Sequence, residues 1–330
     1  MSDLALAAFA AETGAHLVDE PRERRFDRFK RGFDSDRYRA GLAARGFRFV
    51  GRSDPVFPPL LRELHDPPAG LFLRGGGDVE LLAEPAVAVV GARSCSSYGG
   101  QVARLLGREL SAAGVVVISG MARGVDAEAH RGALEAGGAT VAVLGCGIDR
   151  DYPAAHAHLA RGICESGLVV SEYAPAVEPA PWRFPARNRI IAGLAAATVI
   201  VEARERSGAL ITADFALEAG REVFAVPGEI TSGLSAGTNA LLRLGATPLT
   251  RSADVLEPLG LEPRLPAGPE LGEHASAVLA ALSEQPATAD QLGRVTGLDA
   301  AALGTALTEL ELVGAASEAE GLWRGGRPPG

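Results

Sequence analysis

At 330 residues, with 47% hydrophobic and 22% charged residues, the chain has a globular composition spread over two or three domains, which excludes wholesale disorder. A net charge of −9 excludes a diffuse electrostatic binder of nucleic acid but leaves room for a specific pocket. No apolar run approaches the roughly 20 residues that cross a bilayer; no basic-then-apolar leader opens the chain, and Cys95, Cys146 and Cys164 lack CxxC spacing, so the expectation is a reduced, cytoplasmic protein with no membrane segment, disulfide or zinc site.

Residues 1–52 read as a small helical domain, its short helices separated by Gly14, Gly32 and Gly46. Its middle is rich in arginine (Arg22, Arg24, Arg25, Arg28, Arg31, with Lys30), and Phe26, Phe29 and Phe33 interleave at helical spacing. A solvated charged face is the plainer reading, a nucleic-acid patch the sharper one. Residues 53–83 form a Pro-rich connector, because proline disfavours helix in the residue before it, ending in an edge strand at Leu71–Arg74.

From residue 84 to 257 the pattern is βα alternation. Strands are expected at Ala86–Val90, Val115–Ser119, Thr140–Leu144, Leu168–Ser171, Thr198–Glu202 and Glu222–Val226, with another near Thr247–Thr250. Helices fall at Gly99–Ala113, Val125–Ala136, Ala154–Ser166 and Leu210–Ala219. Continuous Val/Ile runs mark strands buried on both faces, which predicts an α/β fold with a doubly wound, Rossmann-like parallel sheet. A linker covers 258–270, and 271–330 reads as a winged helix: helices at Glu273–Leu282, Thr288–Val295 and Ala300–Leu310, then a wing from Val313 to Trp323, with Gly297 in the turn and Asp299 as N-cap.

Ligands of such sheets bind at the carboxyl ends of the strands. The first strand ends in Gly91, Arg93, Ser94 and Ser97, the second in Ser119, Gly120, Arg123 and Gly124; each set offers small residues, hydroxyls and an arginine fork suited to a phosphate. Neither is a GxGxxG fingerprint. After the fourth strand, Arg183, Arg187 and Arg189 interleave with Trp182, Phe184 and Asn188, combining phosphate forks with base-stacking faces as single-strand binders do. The competing reading packs the aromatics into the core and pairs an arginine with Glu172 or Glu202. The fifth strand leads to Ser207, Gly208 and Thr212, with Ser207 able to cap the next helix; the sixth leads to Gly228, then Thr238 and Asn239. Only Lys30 is a lysine, so a phosphate grip falls to arginine and backbone amides.

Catalytic and metal-binding patterns are missing. His156 and His158, two apart, read as solvated; there is no GxSxG elbow and no P-loop. Asp126, Glu172 and Glu202 lie near strand ends without a nucleophile to serve, and salt bridges to neighbouring arginines account for them equally well. No cofactor is expected.

The motifs from Pro55 to Asn239 resemble the DNA-processing protein A (DprA/Smf) family. The residues that carry the resemblance are Phe57-Pro58-Pro59-Leu60-Leu61 with Asp66-Pro67-Pro68, Gly91-Ala92-Arg93, Ser119 to Ala127, and Leu144 to Asp149 with Tyr152-Pro153. Further on, the matching runs are Phe184 to Leu194, Ser207 to Ala213 and Gly220 to Gly228. The flanking helical (SAM-like) and winged-helix domains resemble that family's layout. The resemblance implies a non-enzymatic homodimer, paired through the Rossmann-like domain, that binds and protects single-stranded DNA and helps load the RecA recombinase in natural transformation and recombination. It also implies that Arg93 acts in the strand-end pocket. A lysine that some relatives carry just upstream of the Phe-x-x-Arg-Asn run is missing here; Pro181 stands in that neighbourhood, with Arg183 close by.

Two features pull elsewhere. Residues 257–330 carry a net charge of −7, and Ala300–Leu312 contains Glu309 and Glu311 but no Lys or Arg, which would repel a phosphate backbone. The winged helix is therefore expected to be a protein-interaction or regulatory module. The rival readings are a nucleoside-monophosphate phosphoribohydrolase using the same pocket, weakened by the absence of a double-glycine loop at Arg206–Thr212, and a pure RecA scaffold.

Overall fold

The computed structural model describes residues 3–13, 24–263, 271–312, 315–319 and 321–325. The chain divides into two compact units, Met1–Arg264 and Leu265–Gly330.

The first unit opens with α1 (Asp3–Thr13), α2 (Arg24–Gly32) and α3 (Ser35–Ala43), followed by β1 (Phe47–Gly51), α4 (Pro59–Arg62) and β2 (Gly70–Arg74). The alternation then runs β3 (Ala86–Val90), α5 (Ser97–Ala112), β4 (Val116–Ser119), α6 (Val125–Glu135), β5 (Thr140–Val143), α7 (Ala157–Ser166) and β6 (Leu168–Ser171). After it come α8 (Arg183–Leu194), β7 (Ala197–Ile200), α9 (Gly208–Glu218), β8 (Glu222–Ala225), α10 (Ala236–Arg243), β9 (Thr247–Pro248) and α11 (Ala253–Leu256).

One sheet of nine strands runs in the order β1-β2-β6-β5-β4-β3-β7-β8-β9. The seven from β6 to β9 are mutually parallel, while β2 joins β6 antiparallel through Phe72 and Ser171, and β1 joins β2 antiparallel. The expected doubly wound fold is present. Side-chain parity splits the core in two, since successive strand residues point to opposite faces. In β3, Val87 and Val89 pack with Leu106 and Leu110 of α5, and Ala86, Ala88 and Val90 pack with Ile190 and Ile191 of α8 and Ala213 of α9.

Two expectations need correction. Residues 47–51 were read as part of a helical domain, yet they form β1: Phe47, Phe49 and Val50 are buried against the sheet, and pairing with β2 outweighs the local pattern. Leu71–Arg74 is accordingly not an edge; its apolar run, Leu71 to Leu73, is fully buried between β1 and β6.

The second unit holds α12 (Glu273–Glu284), α13 (Ala289–Thr296), α14 (Ala300–Leu312) and the hairpin β10 (Ala316–Ala319) and β11 (Leu322–Gly325). Thr288 and Gln291 form a capping box on α13, Gly297 ends that helix in the left-handed region at φ 72°, and the Asp299 carboxylate accepts the Ala302 N–H at 2.8 Å. Val278, Leu282, Leu303, Leu307 and Leu310 form its core. Gly14, Arg22 and Val313, named in the sequence reading, and most of the 258–270 linker lie outside the described residues.

Candidate functional site: a cleft at the switch point of the sheet

From β3 the chain winds outward through β4, β5 and β6; from β7 it winds the other way through β8 and β9. The adjacent carboxyl ends of β3 and β7 are therefore the topological switch point, where loops diverge and leave a crevice. A cleft of about 260 Å³ opens there, lined by Gly91, Arg93, Asp126, Phe184, Arg187, Asn188, Ser207, Gly208 and Thr212, among others. A smaller recess of about 80 Å³ extends it over the ends of β4 and β5, lined by Gly120, Arg123, Gly145, Tyr152 and Pro153. Arg93, Ala122, Phe184 and Arg187 belong to both.

The segment 183–194, which the strand-and-helix reading left unassigned, is helix α8, and it builds the floor. Arg187 is buried, and its Nη1 donates to the carbonyls of Gly120 (2.8 Å) and Val143, behind β4 and β5. Its Nε donates to Asn188 Oδ1 at 3.2 Å, and Asn188 Nδ2 donates to the Gly208 carbonyl at 3.0 Å. One Arg-Asn pair thus ties together three strand-end loops. Burial pulls the Arg187 guanidinium down to about 10, with the nearby Asp126 carboxylate opposing; burial likewise raises Asp126, with Arg187 and the Ala122 N–H (3.2 Å) opposing.

The loop behind β4 is held in an uncommon shape. Met121 lies in the left-handed region at φ 65°, a conformation that costs a side-chain-bearing residue about 1–2 kcal/mol, and its carbonyl accepts from His156 Nδ1 at 3.0 Å. Gly124, at φ 77°, has no room for a side chain, since a Cβ there would sit 2.3 Å from the Ala92 carbonyl oxygen. This close approach draws the two arginine-bearing loops together, with Arg93 and Arg123 both exposed. At Gly120 a Cβ would meet Arg187 Nη2 at 2.6 Å.

Rings line the cleft beside the charges. The Arg93 guanidinium lies over Phe184, 5.4 Å from its centroid, and Phe184 stacks on Tyr152 at 5.2 Å with 27° between planes. Tyr152 is 42% exposed, so this ladder presents an open face. At the other end, α9 opens with Ser207 accepting the Ala209 N–H (3.3 Å) and Gly208 exposed: a helix N-terminus of eleven residues turned to the cleft.

Several expected residues lie elsewhere. Arg189 is buried in an ion pair with Glu172 (2.7 Å) and reaches Asp66 at 3.4 Å, which favours the salt-bridge reading for it. Arg183 stacks on Trp182 and Tyr173 and donates to the Glu178 carbonyl. The buried Ser119 hydroxyl donates to the Val89 carbonyl at 2.7 Å, and Thr238 to Ser235 at 3.1 Å. Asn239 clamps Gly228 through its N–H (3.3 Å) and carbonyl (3.1 Å). Ser94 and Ser97 are exposed next to Arg93 but do not line the cleft, and neither does Gly124. The N-terminus of α5 is already occupied: Glu202 accepts the N–H (2.9 Å) and hydroxyl of Ser96, so it pairs with a helix end and not with an arginine. His156, read as solvated, is buried on Met121, whereas His158 is exposed. Cys146 is buried; Cys95 and Cys164 are only half-buried.

Sequence reasoning missed Tyr152 as a lining residue, and Ala122, Pro185, Ile191, Leu144 and Gly145 with it. The latter are apolar or small side chains with no chemical signal, Tyr152 stands in a loop apart from the arginine runs, and strand order brings them to one edge. Among the described residues no group of His, Cys, Asp and Glu could hold a metal ion, and no helix is long and apolar enough to cross a membrane.

Comparison with known proteins agrees with the fold and identifies the family. The DNA recombination-mediator protein A family matches residues 48–260, and the DprA winged helix domain matches 262–321. DNA processing protein DprA of Streptococcus pneumoniae is 46% identical over 207 residues, 62% of this chain and 71% of that protein. Putative DNA processing protein DprA of Mycobacterium tuberculosis is 40% identical over 303 residues, 86% of this chain and 78% of the relative. Among solved structures, the S. pneumoniae protein superposes with a TM-score of 0.66 at 37% identity, covering 79% of this chain and 92% of that one. A Helicobacter pylori DNA processing protein A, described for its single-stranded DNA binding mode, gives 0.58 at 31%, covering 64% and 95%.

Proposed function

The chain belongs to the DprA/Smf family of DNA recombination mediators, and from that premise we propose that it binds single-stranded DNA in the switch-point cleft without catalysing a reaction on it. The coarse role is DNA processing in transformation. The finer role is to protect the strand and pass it to RecA, in the cytoplasm and as a homodimer paired through the sheet-bearing unit.

The observation that carries the reading is the ladder of Arg93, Phe184 and Tyr152 spanning both parts of the cleft. An exposed guanidinium beside the exposed Tyr152 ring grips a phosphate and stacks a base, and a single strand offers both while a duplex hides its base faces. The helix α9 N-terminus supplies a second anion-favouring end. The absence of catalysis is supported by the commitments of the acids: Glu172 to Arg189, Glu202 to Ser96, and Asp126 buried beside Arg187.

Fluorescence anisotropy with single- and double-stranded oligonucleotides of equal length, at two salt concentrations, tests this. Tighter single-strand binding that weakens with salt is expected, and Arg93→Glu should weaken it at least tenfold while leaving RecA retention intact. No single-strand binding at either salt overturns the reading and turns attention to release of adenine from AMP.

A further inference from the structure

The arginine- and phenylalanine-rich stretch near the start of the chain takes no part in the cleft. Its residues from Arg24 to Gly32 form α2, and a groove of about 820 Å³ lies along α2 and the following α3. Its aromatic lining is a ladder of half-buried rings: Phe29 and Phe33 stack at 5.2 Å with 29° between planes, and Phe33 meets Tyr38 at 5.3 Å. Arg28, Arg37 and Arg45 are exposed along the same lining. Asp34, the acidic residue among them, accepts the Arg37 N–H at 2.9 Å as the cap of α3, and the lining keeps a net positive charge.

The groove also adjoins the cleft. Arg45 Nη2 donates to Asp149 Oδ2 at 2.9 Å, and Asp149 stands three residues from Tyr152, which lines the recess. Three trans peptides separate their Cα atoms by at most about 11 Å. The chemistry is that of the cleft repeated: ring faces to stack on, interleaved with guanidinium forks for phosphates. A groove for an apolar helix would present aliphatic pockets with a polar rim; with Arg45 paired to Asp149, Arg28 and Arg37 against Asp34 still leave a positive lining, which suits an anionic polymer better.

We infer that this groove holds the flanking nucleotides of the same single strand whose neighbours occupy the switch-point cleft, an inference that rests on the cleft reading above. The strand then runs from α9 past Phe184 and Tyr152 to α2 and α3.

The test uses the full chain, labelled oligothymidines of 8 and 24 nucleotides, and the double variant Arg28→Glu/Arg37→Glu. Both arginines are exposed, so the substitutions should spare the fold. The expected result is a loss of at least tenfold on the longer strand, a change within twofold on the shorter, and a salt slope shallower by about 1.4 for two lost phosphate contacts. Arg93→Glu should weaken both lengths. A photoreactive thymine at one end of the 24-mer should crosslink to the peptide that contains Phe33. Unchanged affinity for the 24-mer would overturn the inference, leave the cleft reading standing and assign the groove to a protein partner. An equal loss at both lengths would also overturn it, since the arginines would then act through the cleft or the fold. If the wild-type protein bound neither strand, both readings would fail.

Discussion

Arg93 and Arg187 line the same cleft, and the difference between them is solvation. Arg93 is exposed, with its guanidinium over the face of Phe184, so its charge can meet an anion. Arg187 is buried and already donates to two carbonyls and to Asn188. Removing it leaves buried acceptors without donors and deprives Asp126 of its neighbouring charge, a loss of roughly 2–4 kcal/mol. Arg187→Ala should therefore lower Tm and DNA affinity together, whereas Arg93→Glu should lower affinity at an unchanged Tm; thermal melts beside binding curves distinguish the two. If Arg187→Ala left Tm intact, its carbonyl network would not be holding the floor.

His130 shows the same principle away from the cleft. Its Nδ1 donates to Thr140 Oγ1 at 2.8 Å, while the Thr140 hydroxyl donates to the Val117 carbonyl at 2.6 Å. Burial pulls its imidazole down to about 3, with the neighbouring His156 and Arg187 adding to the effect. The folded protein keeps the ring neutral, and the unfolded chain takes up a proton below its usual pKa of about 6.5. Stability from this group is thus complete well above pH 6.5 and is lost as pH falls toward 3. Between pH 7 and 5.5 the loss should be about 1 kcal/mol in urea titrations, and His130→Gln should flatten that dependence; an unaltered slope would assign it to other groups.

At the level of elements, the helix caps decide which strand ends remain open to an anion. Glu202 occupies the N-terminus of α5, bonded to Ser96, whose hydroxyl also accepts the Gly99 N–H at 3.0 Å. Among the described residues no carboxylate bonds to the N-terminus of α9, which lines the cleft. Ser96→Ala removes an N-cap and a donor to a buried carboxylate, so urea titration should show a loss of about 1–3 kcal/mol. No loss would mean that Glu202 holds its place without Ser96. The parallel strands were legible because continuous Val/Ile runs have no other stable home than a doubly covered sheet. Helix α8 was not: its buried face consists of Arg187, Asn188 and Arg189 as well as Ile190 and Ile191, so polar residues stand where periodicity would look for apolar ones. β1 was hidden for a related reason, its paired residues lying 19 to 27 positions downstream.

Across the molecule, charge separates the two units. The last 74 residues carry most of the net negative charge, and Glu309 and Glu311 stand on α14, where Glu309 Oε1 accepts the Gly272 N–H at 2.8 Å. A helix without cations makes a poor phosphate contact. Removal of residues 265–330 should leave single-strand affinity within a few-fold, as read by anisotropy; a hundred-fold loss would place DNA contacts in the winged helix.

The sequence by itself determined the fold class, most strands to within a residue or two, the winged helix with its Gly297 turn, and the arginine-bearing strand ends where a ligand would sit. These follow from local periodicity, from turn chemistry and from the rule that strand ends face the crevice, all of which act over short stretches of chain. Only the tertiary structure decided which polar residues are spent on the fold. Arg189 and Arg183 read the same as Arg93 in sequence, yet one meets Glu172 and Asp66 and the other stacks on Trp182 and Tyr173. Whether a guanidinium faces water or a buried carboxylate depends on partners far away in the chain, and strand order alone brings those partners together.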